Sequence, residues 1–596
     1  MKRLFFGVIL FIVVNSNAQQ KTYCNPINID YGYTPIPNFS EWGRHRATAD
    51  PVIVNYKGEY YLFSTNQWGY WWSGDMLNWN FISKKFLRPW NGGVYDELCA
   101  PAVGIVGDTM LVFGSTYTRK FTLWMSTNPK ANEWKPLIDS FDIGGWDPAF
   151  FTDDDGRFYM YNGSSNTYPL YGVELDRKTF QPIGTRMPMY MLQDWRYGWQ
   201  RFGEHMDNTF LDPFIEGSWM TKHNNKYYFQ YGAPGTEFSG YGDGVVVAEK
   251  PLFDGVQTFP QSDPLSMKLG GFARGAGHGS TFTDNFGNYW HISTIMLSVK
   301  NNFERRLGIW PAGFDKDDVM WCNTAFGDYP HLLPYSYYKM RKPKEDNNID
   351  DIGFTGWMLL NYKKPISVSS TLGSYYANNA NDEDIKTYWS AATGNKGEWI
   401  ETDLGNVSTV NAVQINYADQ DVADDHLGKI NGGEQYHQYK MYYSVDGKKW
   451  NVLIDKSNNK TDIPHEYVEL TAPVQARFIK VENIHMPTGK FAISGLRVFG
   501  NGNGKKPEAV KTFFVLRTEK DKRSGWIKWN PVNDAYAYNI YYGTAPDKLY
   551  NCIMTMDNTK NEYWFKGMDL KKPYYFTIES INENGVSEKS KVIKVD

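Results

Sequence analysis

The sequence predicts an all-β protein, a five-bladed β-propeller followed by two β-sandwich modules. Three observations carry this reading. A strand–turn–strand unit recurs five times between residues 50 and 290. After residue 364 the text changes to a different run of short alternating strands. A Gly/Asn stretch at Asn501-Gly502-Asn503-Gly504 then opens a third block of the same kind.

The chain has 596 residues. That is well beyond the size at which one hydrophobic core stops growing, so several domains are expected. Aromatic residues make up 17%, with 22 Trp and 42 Tyr. Such a share suits strands and also suits stacking on the apolar faces of sugars. The net charge is -4. With no basic tract to neutralise phosphates, a nucleic-acid partner is excluded.

Lys2-Arg3, the apolar run Leu4 to Val14 and Asn15-Ser16-Asn17-Ala18 read as a signal peptide, residues 1–18. The run is too short to span a bilayer, and no later stretch is long enough. The mature chain is therefore expected to be soluble and exported, periplasmic or secreted, and a monomer. Cys24, Cys99, Cys322 and Cys552 are scattered and form no metal motif. They leave room for one unassigned disulfide.

The repeat defines the first domain, expected over residues 23–345. Its units begin at Asp50-Pro51, Ala100-Pro101, Asp147-Pro148, Glu216-Gly217 and His278-Gly279, at intervals of 50, 47, 69 and 62 residues. In each, 10 or 11 positions separate the lead residue from the second strand, as in Gly58-Glu59-Tyr60-Tyr61-Leu62 after Asp50. This is a hairpin signature. Strand-rich units of this length, repeated five times, give one propeller blade each.

In a propeller the first strand of every blade lines the central channel, so the five lead residues should meet around one axis. Three of them are acidic: Asp50, Asp147 and Glu216. Carboxyls gathered in one mouth repel one another and raise at least one pKa. A protonated acid beside an ionised partner is what glycoside cleavage needs. Asp212-Pro213 mimics the lead dipeptide, but it stands 15 positions before Tyr227 while Glu216 stands 11 before it. Register favours Glu216.

These motifs resemble glycoside hydrolase family 43, over roughly Tyr23 to Pro334. The matching residues are Ala49-Asp50-Pro51, Trp146-Asp147-Pro148 with Phe151-Thr152-Asp153-Asp154-Asp155-Gly156, and Ile215-Glu216-Gly217. The resemblance implies an inverting glycosidase acting on arabinose-, xylose- or galactose-containing plant glycans, oligosaccharide or polysaccharide. It implies Asp50 as general base, Glu216 as general acid and Asp147 as the carboxylate that orients the acid. It also implies that His278 reaches into the channel beside a calcium ion or water, although the chemistry needs no metal. Arg305 and Arg306 resemble a substrate-side arginine; on a strand only one points inward. Trp68, Trp72 and Trp146 are candidate sugar platforms. A non-catalytic sugar-binding propeller is the competing reading; it predicts the loss of one acid, and all three are present.

The second block, expected over 364–500, carries Thr387-Tyr388-Trp389-Ser390, Glu398-Trp399-Ile400-Glu401 and Ile493-Ser494-Gly495-Leu496-Arg497. It resembles a discoidin (coagulation factor 5/8 C-terminal) domain, similar to carbohydrate-binding module family 32. Sugar binding and packing against the propeller are both open to it. Asn501 to Pro507 is expected to be a flexible linker. The third block, over 507–596, resembles a fibronectin type III domain with Tyr574 as its corner tyrosine. It is expected to be a spacer without catalytic residues.

Overall fold

The computed structural model describes residues 22–34, 45–88, 98–116, 121–141, 143, 145–208, 210–255, 259–297, 303–333, 353–422, 436–556 and 559–596. The expected signal peptide, 1–18, lies outside these residues. So do residues 334–345 of the span assigned to the first domain.

Five four-stranded antiparallel sheets form the propeller. Their first strands are Val52–Tyr56, Cys99–Val106, Ala149–Thr152, Glu216–His223 and Arg274–Thr283. Each of these contacts the next, and the fifth returns to the first, which closes the ring. Each blade is one continuous piece of chain. The fifth blade meets the first through Ser280 Oγ, which donates to the Pro51 carbonyl, and meets the segment before the first blade through Asn25, which bonds both the N–H and the C=O of Ile309. Tyr23 also pairs with His331.

The blades share a device at the channel mouth. In three blades a hydroxyl at or near the end of the second strand accepts the N–H of the next blade's lead residue. Thr65 caps Ala100 at 2.8 Å, Ser115 caps Asp147 at 2.8 Å, and Thr294 caps Asp50 at 3.0 Å. These lead N–H groups precede the regular ladder, so the hydroxyls keep them from being buried orphan donors.

The eight-stranded sheet of the second block starts at Met358–Leu359, which pairs with Phe499 and Gly500, earlier than the expected 364. Its two long strands, Trp399–Tyr417 and His465–His485, break register near Asp403 and Val410, which lets one sheet bend over a core containing Trp389, Val413, Ile479 and Leu496. The third block is a three-stranded sheet (Phe513–Arg517, Gly525–Trp529, Glu562–Phe565) facing a second sheet built on Ala537–Gly543 and Tyr574–Asn582. Tyr574 Oη accepts the N–H of Asp569 at 2.8 Å.

The stretch from Asn501 is tied down rather than loose. Gly502 N–H donates to the Glu583 carbonyl, Gly504 N–H to Asn584, and Asn503 to the Val407 carbonyl. A Cβ at Gly502 would lie 2.2 Å from Asn584 Oδ1, so the residue is glycine because the two sandwiches leave no room. All four cysteines are buried thiols; Cys24 donates to the Asp328 carbonyl at 3.3 Å and Cys99 to Asn66 Oδ1 at 3.5 Å.

Both sandwiches pack on the propeller. Arg46 of the propeller, fully buried, pairs with Asp419 and Asp462 of the first sandwich. Arg497 of that sandwich pairs with Glu383 and donates to the Asp328 carbonyl of the propeller. The second sandwich and the fourth blade share one core, in which Trp199, Tyr231 and Met267 meet Ile527, Phe565 and Ile553.

Candidate functional site

The structure brings Asp50, Asp147, Glu216 and His278 together from four blades. His278 Nδ1 lies 3.1 Å from Asp50 Oδ1 and 3.9 Å from Asp147 Oδ2. Asp147, Glu216 and His278 offer heteroatoms all within 4.8 Å of one another. The backbone explains the convergence. Asp50, Ala100, Asp147 and His278 have φ of 54°, 44°, 54° and 45°. In the fourth blade the left-handed residue is Gly217, φ 65°. Each of these lies two residues before the regular ladder, which starts at Val52, Ala102, Ala149, Trp219 and Ser280. Non-glycine residues in this conformation carry about 1–3 kcal/mol of strain, a feature that clusters at functional sites.

This corrects the register of the acid. Glu216 stands one residue before the lead position, across an irregularity between Glu216 and Trp219. Gly217 takes the lead position because a Cβ there would meet the His278 ring at 2.7 Å.

Each carboxyl has its own partners. Asp50 Oδ2 accepts from Thr65 Oγ1 at 2.6 Å, and Arg305 Nη1 lies 3.7 Å from its Oδ1. Glu216 Oε1 accepts from Tyr241 Oη at 2.5 Å, and Oε2 from Ser164 at 3.3 Å. Burial pushes the Asp147 carboxyl well above the usual range; His278 opposes this, while Glu216 and Asp50 add to it. Burial works against a charged His278, but Asp50, then Asp147 and Glu216, outweigh it and hold the imidazole above its ordinary value. His278 is thus the basic partner that faces the carboxyl cluster. Its set of one imidazole and two carboxylates does not fit calcium, which takes six to eight oxygens.

Strand alternation resolves the arginine pair. Arg305 points into the mouth and donates to Thr236 at 3.0 Å. Arg306 points outward, donating to His465 Nε2 of the first sandwich and to the Arg46 carbonyl. Arg306 is therefore a packing residue, not a substrate contact. Among the tryptophans, Trp146 is 37% exposed beside Asp147. Trp68 is buried, with Lys85 Nζ 4.6 Å over its ring. Trp72 lies under Lys130 Nζ, packed between the first and second blades. Cations already cover both rings, so neither offers a free sugar platform.

Sequence reasoning missed Thr65 and Ser164, the hydroxyl partners of Asp50 and Glu216. It also missed Thr236, Glu237 and Tyr241, on the loop after Lys226–Ala233. Burial raises the Glu237 carboxyl, and the charge of Glu216 adds to this, against Arg305. Glu237 is a fourth acid of the mouth. No motif announces this loop.

Residues 45–320 match the model of glycosyl hydrolases family 43. That match takes in the first strands of all five blades. Residues 365–496 match the F5/8 type C domain. A β-D-galactofuranosidase of Aspergillus niger is 29% identical over 163 residues, 26% of this chain and 40% of that protein. The chain thus spans less than half the length of that relative. Among solved structures, a glycoside hydrolase is 17% identical with a TM-score of 0.43, covering 78% of this chain and 99% of its own. An endo-1,4-β-xylanase of Bacteroides thetaiotaomicron is 21% identical with a TM-score of 0.39, covering 49% and 95%.

Proposed function

We propose that this protein is a family 43 glycosidase, exported and inverting, that cleaves arabinofuranosidic, xylosidic or galactose-type bonds in plant-type glycans. The observation that carries the reading is the convergence of Asp50, Asp147 and Glu216 on His278. A water held by Asp50 attacks the anomeric carbon and gives its proton to Asp50. The glycosidic bond breaks on the opposite face, and the leaving oxygen takes the proton of Glu216. Water is consumed and the anomeric configuration inverts. Arg305 and Thr65 hold Asp50; Tyr241 and Ser164 hold Glu216. Asp147, whose carboxyl burial and its acidic neighbours raise, stands beside Glu216 as the group that orients and tunes it. The galactofuranosidase relative supports keeping galactofuranosides among the candidate substrates.

The test is hydrolysis of aryl α-L-arabinofuranoside, β-D-xyloside, β-D-galactoside and β-D-galactofuranoside, with proton NMR of the first product anomer. A retained anomer would remove Asp50 from the role of base. Inactivity on all four, with sugar binding kept, would favour a binding protein. We further propose that residues 1–18 direct export and that the third block is a fibronectin type III module, for which the Tyr574–Asp569 corner speaks. For the F5/8 type C domain the buried Arg46 and Arg497 contacts favour packing on the propeller.

A further inference from the structure

We infer that the C-terminal sandwich is a working part of the catalytic site: it holds the 194–208 segment, and that segment holds the 234–241 loop against Glu216 and Arg305. The inference rests on the reading of Glu216 as the acid.

The chain of contacts is continuous. At its outer end, Arg201 is buried and donates to Asp521 at 2.9 Å and to the Lys566 carbonyl at 2.8 Å. Arg196 pairs with Asp569, whose side chain is fully buried. Arg523 reaches back to the Asp194 carbonyl at 2.7 Å, and Lys566 pairs with Asp207. Gly198 N–H donates to the Met568 carbonyl, and a Cβ on Gly198 would lie 2.0 Å from the Lys566 oxygen. The two surfaces are therefore fitted at backbone distance, which a tethered spacer does not require.

The middle link is Glu204. Its Oε2 accepts the N–H of Ser239 at 2.9 Å and its Oε1 accepts the Ser239 hydroxyl at 2.5 Å. Gln200 adds a second grip, donating to Tyr231 Oη at 2.7 Å just before the loop begins. Phe202 packs edge-on against Phe238. At the inner end the loop delivers Thr236 to Arg305 and Tyr241 to Glu216.

An acid misplaced by about 1 Å loses on the order of a hundredfold in rate. Arg201 and Glu204 touch neither substrate nor reacting atoms, so they are positioning residues.

The test uses full-length Arg201→Ala, Glu204→Ala and Glu204→Gln, with Lys511→Ala, an exposed change on the same module, as control. kcat should fall about tenfold or more in the first two while KM moves less than about threefold. The alkaline limb of the kcat profile, which reports the acid, should move with it. Glu204→Gln keeps an acceptor for Ser239 and should recover most of the loss. Amide exchange in residues 234–241 should rise about tenfold in both Ala variants, with the second and third blades unchanged. Asp521→Asn probes the same link if Arg201→Ala fails to fold. Wild-type exchange in the loop of both Ala variants, or a uniform rise over the whole chain, would overturn the inference. Exchange needs no substrate, so an inactive wild type would overturn the glycosidase reading alone.

Discussion

Tyr241 Oη lies 2.5 Å from Glu216 Oε1, so a phenol from the loop after the fourth blade's second strand holds the acid that opens that blade. Burial and the charge of Glu216 keep the Tyr241 hydroxyl well above its ordinary pKa, so it stays a donor. Tyr241→Phe removes the bond while keeping the ring. A hydrogen bond to a charged group is worth about 1.5–3 kcal/mol. The expected result is a kcat lowered roughly ten- to a hundredfold on substrates with poor leaving groups, and a smaller loss on nitrophenyl glycosides, which need little protonation. Equal losses on both would place Tyr241 outside the acid's function.

The same logic separates acid from base. Glu216→Gln should lower activity about 10²–10⁴-fold with alkyl leaving groups and much less with dinitrophenyl ones. Asp50→Asn should lose activity with every leaving group, because the attacking water is deprotonated in all of them. Steady-state rates across a leaving-group series check both. A leaving-group dependence in the Asp50 variant would exchange the two roles.

Gly217 tests the left-handed device. An alanine there meets both a φ of 65° and the His278 ring at 2.7 Å. Gly217→Ala should cost about 1–3 kcal/mol of stability by strain. It should also displace His278, and with it the charge balance of Asp50 and Asp147. Denaturant unfolding with kcat measured alongside checks this. A variant with wild-type values of both would show that the position tolerates a side chain.

How much of this was legible follows from what repeats and what does not. Asp50 and Asp147 were readable because each opens a strand at a fixed distance from the next one. Glu216 was found by the same spacing, yet it sits one residue early. The irregularity before Trp219 hides that shift from a count along the chain. Arg305 and Arg306 were adjacent and equivalent in sequence; only the pairing of Arg305 with Met296 and Arg306 with Ile295 fixes which side each faces. Trp68 and Trp72 looked like platforms by residue type, but Lys85 and Lys130 claim their rings from distant text. Thr236, Glu237 and Tyr241 lie in a loop with no period at all. The hydroxyls Thr65, Ser115 and Thr294 were missed as well, although each lies at or near the end of a blade's second strand.

Arg497 gives a stability prediction. It is fully buried, pairs with Glu383, and donates across the domain boundary to the Asp328 carbonyl. Removing one partner leaves Glu383 buried and uncompensated, at a cost of about 3–5 kcal/mol. Arg497→Met should lower the melting temperature and loosen the first sandwich from the propeller. Calorimetry should then resolve two transitions where the wild type should show its propeller and first sandwich melting together. A change under about 1 kcal/mol would mean the pair is dispensable.

Asp263 sets a pH dependence at the other boundary. Its Oδ1 is cut off from solvent without a hydrogen-bond partner, between the fourth blade and the C-terminal sandwich. Burial, with the charge of Asp569 adding to it, pushes this carboxyl up to about 7; Tyr574 and the Thr544 N–H only partly offset that. The folded protein therefore holds the proton more tightly than the unfolded chain, whose carboxyl titrates near 4. The stabilising contribution is fully present below about pH 4 and is lost as pH rises through about 7. Above that, the ionised group should cost on the order of a few kcal/mol at the interface. Asp263→Asn cannot ionise, so its melting temperature should match the wild type near pH 4 and exceed it increasingly from pH 5 to 8. Melting curves of both proteins across that range decide it. A difference that is flat with pH, or that shrinks towards pH 8, would show that Asp263 ionises as freely in the folded protein as in the unfolded chain.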